Sequence, residues 1–125
     1  MREAVKAAKR EERRKKQQYA VRRHHPGYRW SMFQHQAKTR GIEVTLRRID
    51  FERLIGRPCF YCGLRERIGI DRVSSDAGYS KDNVVPCCAT CNFMKGTLGL
   101  REFVGQAQRV AGSAGAITRS LSSPN

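Results

Sequence analysis

Cys59-Phe60-Tyr61-Cys62 and, further along, Cys87-Cys88-Ala89-Thr90-Cys91 decide how this chain is read. In each stretch two thiols stand two residues apart, Cys59 with Cys62 and Cys88 with Cys91. A short turn aims two such sulfurs at one point, and two turns together make the tetrahedral thiolate site that holds a structural zinc ion. Cys87 in place of Cys88 would give a three-residue spacing to Cys91. The tighter spacing favours Cys88 and leaves Cys87 as a small core residue. Four sulfurs leave no open coordination position, so the expected Zn²⁺ is structural rather than catalytic. A disulfide framework belongs to secreted chains, and the opening stretch MREAVKAAKREERRKK lacks the apolar run of a secretory signal. A reducing intracellular compartment is the expectation. A redox pair would not account for two such turns.

The chain around these pairs is basic. Its 125 residues carry 25 Lys+Arg against 11 Asp+Glu, a formal net charge of +14. The excess is uneven, with 15 basic and 5 acidic residues over 1–50 and 10 and 6 over 51–125. Such a charge calls for a polyanionic partner, and nucleic acid is the expected one, DNA ahead of RNA. No apolar run reaches the roughly 18 residues of a membrane span, so no membrane partner is expected. Glu3, Glu11 and Glu12 argue against an organelle transit peptide. With few large apolar residues in so short a chain, a metal staple worth on the order of 10 kcal/mol supplies what a small core does not.

Outward from the cysteines, the chain reads in three parts. Residues 1–27 form a basic arm, helical or disordered, that Pro26-Gly27 ends. Residues 28–111 form the zinc domain. It opens with a helix over 28–40 carrying Tyr28, Met32, Phe33 and Ala37, stopped by Gly41. A short strand follows through Ile42, Val44 and Leu46. A helix capped by Asp50, with Phe51, Leu54 and Ile55, ends at Gly56. Ile68 to Val73 reads as one strand and Asn83-Val84-Val85 as a second, stopped by Pro86; a helix runs from about Thr90 to Lys95. Leu100, Phe103, Val104, Ala107 and Val110 mark an amphipathic helix packed on the domain. Residues 112–125 are small and polar and read as a disordered tail.

The stretch between and after the cysteine pairs carries the rest. Gly69-Ile70-Asp71-Arg72-Val73, Gly78-Tyr79 and Asp82-Asn83-Val84-Val85-Pro86 lie between them, and Asn92 and Lys95-Gly96 follow. With Cys59/Cys62 and Cys88-Ala89-Thr90-Cys91, these elements stand in an order that resembles the zinc-bearing subgroup of the HNH endonucleases, also called His-Me finger or ββα-metal nucleases. The resemblance covers residues 56–104. It implies a small α+β fold: a two-stranded hairpin and helix clasped by a four-cysteine zinc site, with flanking helices and the basic N-terminal arm. It also implies that Asp71 and Asn92 bind a catalytic divalent ion. Both are hard oxygen ligands suited to Mg²⁺ or Mn²⁺. Asn83 would fix the loop, and Lys95 would contact phosphate.

The departure from the family falls at its general base. Where the family carries His, this chain has Arg72, whose guanidinium stays protonated and cannot take a proton at neutral pH. Arg72 could instead clamp phosphate. Tyr79, His24, His25 and His35 are the other candidates for a base. Arg22, Arg23, Arg29, Arg47 and Arg48 are expected to line a face that tracks phosphates, joined by Arg72 and Lys95. Two functions follow. One is a DNA-cutting HNH endonuclease, weak or atypical because of Arg72, of phage or mobile-element origin. The other is a zinc-stapled, catalytically inactive nucleic-acid-binding protein, for example one associated with ribosomes.

Overall fold

The computed structural model describes residues 1–122. They form six α-helices, a 3-10 turn and a two-stranded antiparallel sheet, in the order α1 (Arg2–Arg22), α2 (Pro26–Thr39), α3 (Arg48–Ile55), β1 (Ile68–Arg72), the 3-10 turn (Lys81–Asn83), β2 (Val84–Cys88), α4 (Ala89–Lys95), α5 (Leu100–Gly112) and α6 (Ala114–Ser122). The chain divides into two compact units, Met1–Val44 and a second beginning at Thr45.

In the first unit α1 buries none of its residues. Its regularity rests on helix-forming residues and on pairs one turn apart, Arg14 with Glu11 at 2.9 Å and Lys16 with Glu12 at 2.8 Å. Each such pair is worth a few tenths of a kcal/mol. Pro26-Gly27 does not only end this helix; it opens the next. Pro26 stands in the first turn of α2, where its missing N–H would have no helical partner anyway. The His25 Nδ1 accepts from the Gly27 N–H at 3.1 Å and caps α2.

The second unit is built round the hairpin. β1 and β2 pair antiparallel, with Ile68 opposite Cys88, Ile70 opposite Pro86 and Arg72 opposite Val84. Pro86 therefore does not stop the second strand. Val73 donates to Asn83 and Ala89 to Arg67, so Ile70 and Pro86 fall at a position where the strands exchange no hydrogen bonds. The missing N–H of Pro86 faces away from β1, and its carbonyl accepts from Phe60 at 2.8 Å. Both α3 and α4 pack against the hairpin. The core joins Ile68 and Phe103 to four sulfur-bearing side chains, Cys59, Cys87, Cys88 and Cys91.

Three further expectations from the sequence need correction. The stretch through Ile42, Val44 and Leu46 forms no strand; Val44 makes one bridge, and the Thr45 N–H turns to the Tyr79 carbonyl at 3.0 Å. The cap of α3 is Arg47 rather than Asp50. Asp50 lies three residues on, and its Oδ2 accepts from the Arg47 backbone N–H at 2.9 Å, closing the helix start from inside. Residues Ala114–Ser122, expected to be disordered, form α6, in which Ala, Ile and Leu supply helix propensity that the serines and glycines obscured. Residues 123–125 of that expected tail lie outside the described residues. Among the described residues no helix is long and apolar enough to cross a membrane.

The Asp50 carboxyl is held at about 2 by its hydrogen bonds from the Arg47 side chain and backbone, with Lys81 adding attraction. Its ordinary value of 3.8 applies in the unfolded chain. The contribution to stability is thus fully present above pH 4 and is lost as pH falls from about 4 towards 2. Thermal unfolding across this window should show a loss of stability in the parent chain that Asp50→Asn lacks.

Candidate metal centre and active site

The first pair of thiols sits in a tight turn. Cys59 N–H donates to Leu64 O at 2.7 Å, and Gly63 N–H donates back to Cys59 O at 2.9 Å. Gly63 follows the second cysteine with φ of 79°, a conformation open to glycine at little cost. The second pair opens α4. Cys88 is the last residue of β2 and the N-cap of α4, and its Sγ accepts from the Cys91 N–H at 3.3 Å. A sulfur that carries negative charge is well placed there, at the positive end of the helix.

The four sulfurs of Cys59, Cys62, Cys88 and Cys91 all lie within 4.8 Å of one another. Cys62 and Cys88 are 3.6 Å apart. A tetrahedron of sulfurs bound to zinc has edges of about 3.8 Å, so the set fits a metal ion such as zinc. Burial raises the Cys59 thiol, but donors from the Cys88, Cys62 and Tyr61 backbones outweigh it and bring the group to about 6. Burial and the neighbouring thiols push Cys91 far up. An arriving cation would displace the thiol protons of the cluster, since thiolates are the ligands a metal takes. Cys87 is buried outside this set, and burial pushes its thiol up as well.

Tyr61 connects this centre to the hairpin. Its side chain packs edge-on to Phe103 at 5.1 Å, and its phenol donates to Asp71 Oδ2 at 2.7 Å. Burial, and then the bond to Asp71, push the phenol far above its ordinary range. Asp71 Oδ1 accepts from Lys95 Nζ at 3.3 Å, and Lys95 also donates to the Arg72 carbonyl at 3.1 Å. Asp71 is 6% exposed and Lys95 1%. The placement of Lys95 corrects the expectation of a phosphate contact: its ammonium is internal, neutralising the Asp71 carboxylate. Lys95 lies four residues after the buried Cys91, so both point inward from α4. Sequence reading missed Tyr61 altogether. The available signal was an aromatic residue with a polar tip inside the first cysteine turn.

The loop after β1 is held from two sides. The buried Asn83 side chain accepts from Ser74 N–H at 2.9 Å and donates to the carbonyls of Ser74 and Gly78 at 3.0 and 2.9 Å. The Arg72 Nη1 donates to Ser75 O and Ala77 O at 2.8 and 2.9 Å, and its guanidinium lies 5.5 Å from the Tyr79 ring centre. Both side chains therefore hold the loop's backbone. Asn92 is exposed on α4, about 60° round the helix axis from Lys95.

The remaining residues of the expected phosphate-tracking face fall in different places. Arg22 and Arg23 end α1 and are exposed, Arg22 lying 5.9 Å from the Tyr28 ring centre. Arg29 is half-buried on α2, and burial lowers its pKa. Arg47 and Arg48 are exposed, paired with Asp50 at 3.2 Å and Glu52 at 2.8 Å. His24, His25 and His35 all belong to the first unit, and the second contains no histidine.

No family model matches this chain. A protein of Acanthamoeba polyphaga mimivirus, described as the uncharacterized protein R423, is 37% identical over 75 residues, which are 58% of this chain and 14% of that protein. The chain thus spans about one seventh of the curated relative it matches. A solved structure of the rare-cutting HNH restriction endonuclease PacI superposes with a TM-score of 0.58 and 21% identity, over 70% of this chain and 78% of that one. The likeness is one of fold: the chain has the small α+β architecture of an HNH endonuclease, with a cysteine cluster able to hold a metal.

Replacing Cys59, Cys62, Cys88 or Cys91 singly by Ser should abolish stoichiometric metal binding, measured by elemental analysis, and unfold the second unit. Cys87→Ser should keep the metal. Asn83→Ala leaves buried loop groups unpaired and should lower stability by about 1–3 kcal/mol in denaturant titration.

Proposed function

We propose that this chain is an HNH-type nuclease that hydrolyses phosphodiester bonds in DNA with a divalent ion, Mg²⁺ or Mn²⁺, its fold stapled by Zn²⁺ on Cys59, Cys62, Cys88 and Cys91. The observation that carries the reading is the likeness of fold to an HNH restriction endonuclease, together with Asp71 held where hairpin meets α4. The +14 charge favours a polyanionic substrate. The mimivirus relative is in keeping with a viral or mobile-element origin.

In this reading Asp71 and Asn92 hold the divalent ion. Their carboxylate and amide oxygens are the hard donors such an ion takes. Each carboxylate oxygen of Asp71 has a further lone pair beyond its bond to Lys95 or Tyr61. When bound, the ion supplies charge neutralisation at the scissile phosphate and leaving oxygen. Tyr61 and Lys95 orient the carboxylate. Asn83 and Arg72 hold the loop beside it, and Arg72 adds positive charge. Arg22, Arg23, Arg29, Arg47 and Arg48 contribute backbone contacts, and phosphate competes with Asp50 and Glu52 for the last two.

With Arg72 at the family's base position, the attacking water in this reading loses its proton to hydroxide or to the substrate phosphate. Lacking a positioned base, the rate should fall on the order of 10²- to 10⁴-fold below that of an enzyme that has one.

A plasmid-nicking assay tests this directly. Cleavage should need Mg²⁺ or Mn²⁺ and should rise from pH 7 to 9 without a plateau near 6.5. Asp71→Asn should reduce it at least about 100-fold while binding persists. Salt-sensitive binding with no cutting under any divalent ion would select the inactive binding protein instead.

A further inference from the structure

We infer that Phe93 is a nucleic-acid contact that stacks on a base or wedges into a base step beside the cut. The inference rests on the nuclease reading above and adds to it the group that meets the bases.

The geometry of α4 leads to this residue. Cys91 and Lys95 are buried and define the inner side of the helix. At about 100° per residue, Phe93 points almost opposite to them, with Asn92 and Met94 on its two flanks. Met94 lines an apolar groove of about 570 Å³ with Phe60, Leu64 and Val104, next to the cysteine cluster. That groove accounts for one flank. The other carries the exposed Asn92. Phe93 forms the crest between them and is 89% exposed.

An exposed phenylalanine on a short helix adds nothing to folding that alanine would not. The ring is therefore open to an occupant from outside, and two observations choose it. The chain carries +14 charge, which suits a polyanion and disfavours a basic protein surface. Phe93 also adjoins Asn92, so its Cα lies about 3.8 Å from that of a residue proposed to face the scissile phosphate. A ring projecting from the next position meets what adjoins that phosphate: sugar and base. Phosphate contacts hold a nucleic acid in place without engaging its bases, whereas aromatic rings stack on any base.

The test uses the full, metal-loaded chain and a fluorescein-labelled DNA duplex, followed by anisotropy at several salt concentrations. Phe93→Ala should weaken binding by about 5- to 100-fold, the range of a single lost aromatic–base stack. The slope of log K against log salt should stay unchanged, because no cation is removed. Phe93→Trp should restore binding and show fluorescence quenching on adding duplex, read in a Trp30→Phe background. Metal content and melting temperature of each Phe93 variant should match its own background, parent or Trp30→Phe, since position 93 is exposed. Binding by Phe93→Ala within twofold of the parent would overturn the inference, as would a Trp variant that binds as poorly as Ala. In either case the nuclease reading stands if the parent still nicks plasmid. A parent that neither binds nor nicks DNA overturns both.

Discussion

Four sulfurs drawn to within one ion's reach are the constraint on which the second unit depends. Cys88 ends β2, caps α4 and belongs to the cluster, so strand, helix and metal centre meet at one residue. The Cys59 turn is tied to the same strand by the bond from Phe60 to Pro86. Around this knot the apolar core is thin. Phe103 alone is buried from α5, and the next turns of that helix line the open groove instead of closing it. A hairpin of two short strands is marginal alone in water. Four sulfurs able to grip one ion offer order that burial of apolar area does not.

The second constraint is a buried charge. Removing Asp71 and Lys95 from water is costly, and such a pair adds little net stability compared with apolar residues of equal size. Its value is positional. The carboxylate has one oxygen on an ammonium from α4 and the other on a phenol from the cysteine turn, so three elements agree on where it sits. Arg72 and Asn83 do the same for the adjoining loop through its backbone carbonyls and one N–H. A carboxylate held this way is already positioned for the role proposed for it, and such preorganisation is what electrostatic catalysis requires.

How much of this was legible in the residues depended on how local each signal was. The cysteine spacing identified all four sulfurs of the cluster, because two-residue turns are a local geometry. The strand expected from Ile68 to Val73 matches β1 to within one residue, and the spacing of Leu100, Phe103, Val104, Ala107 and Val110 made α5 readable. Pro86 misled, because whether a proline ends a strand depends on which way its absent N–H faces, a matter of pairing with β1. Asp50 was assigned to the start of α3, but the position that it closes lies three residues earlier. Lys95 looked like a surface lysine, and only the approach of α4 to β1 makes it internal. Tyr61 carried no visible motif, since its partner Asp71 lies on another element. Ile42 to Leu46 had the alternation of a strand and no edge to join.

Tyr61 also ties the cysteine turn to a second requirement. The two residues between Cys59 and Cys62 satisfy the metal, and one of them anchors the carboxylate of the hairpin. A spacer one residue longer could still bring both sulfurs to an ion, yet it would swing the phenol away from Asp71. In this chain the length of a loop able to hold one metal is therefore set partly by the group proposed to grasp another.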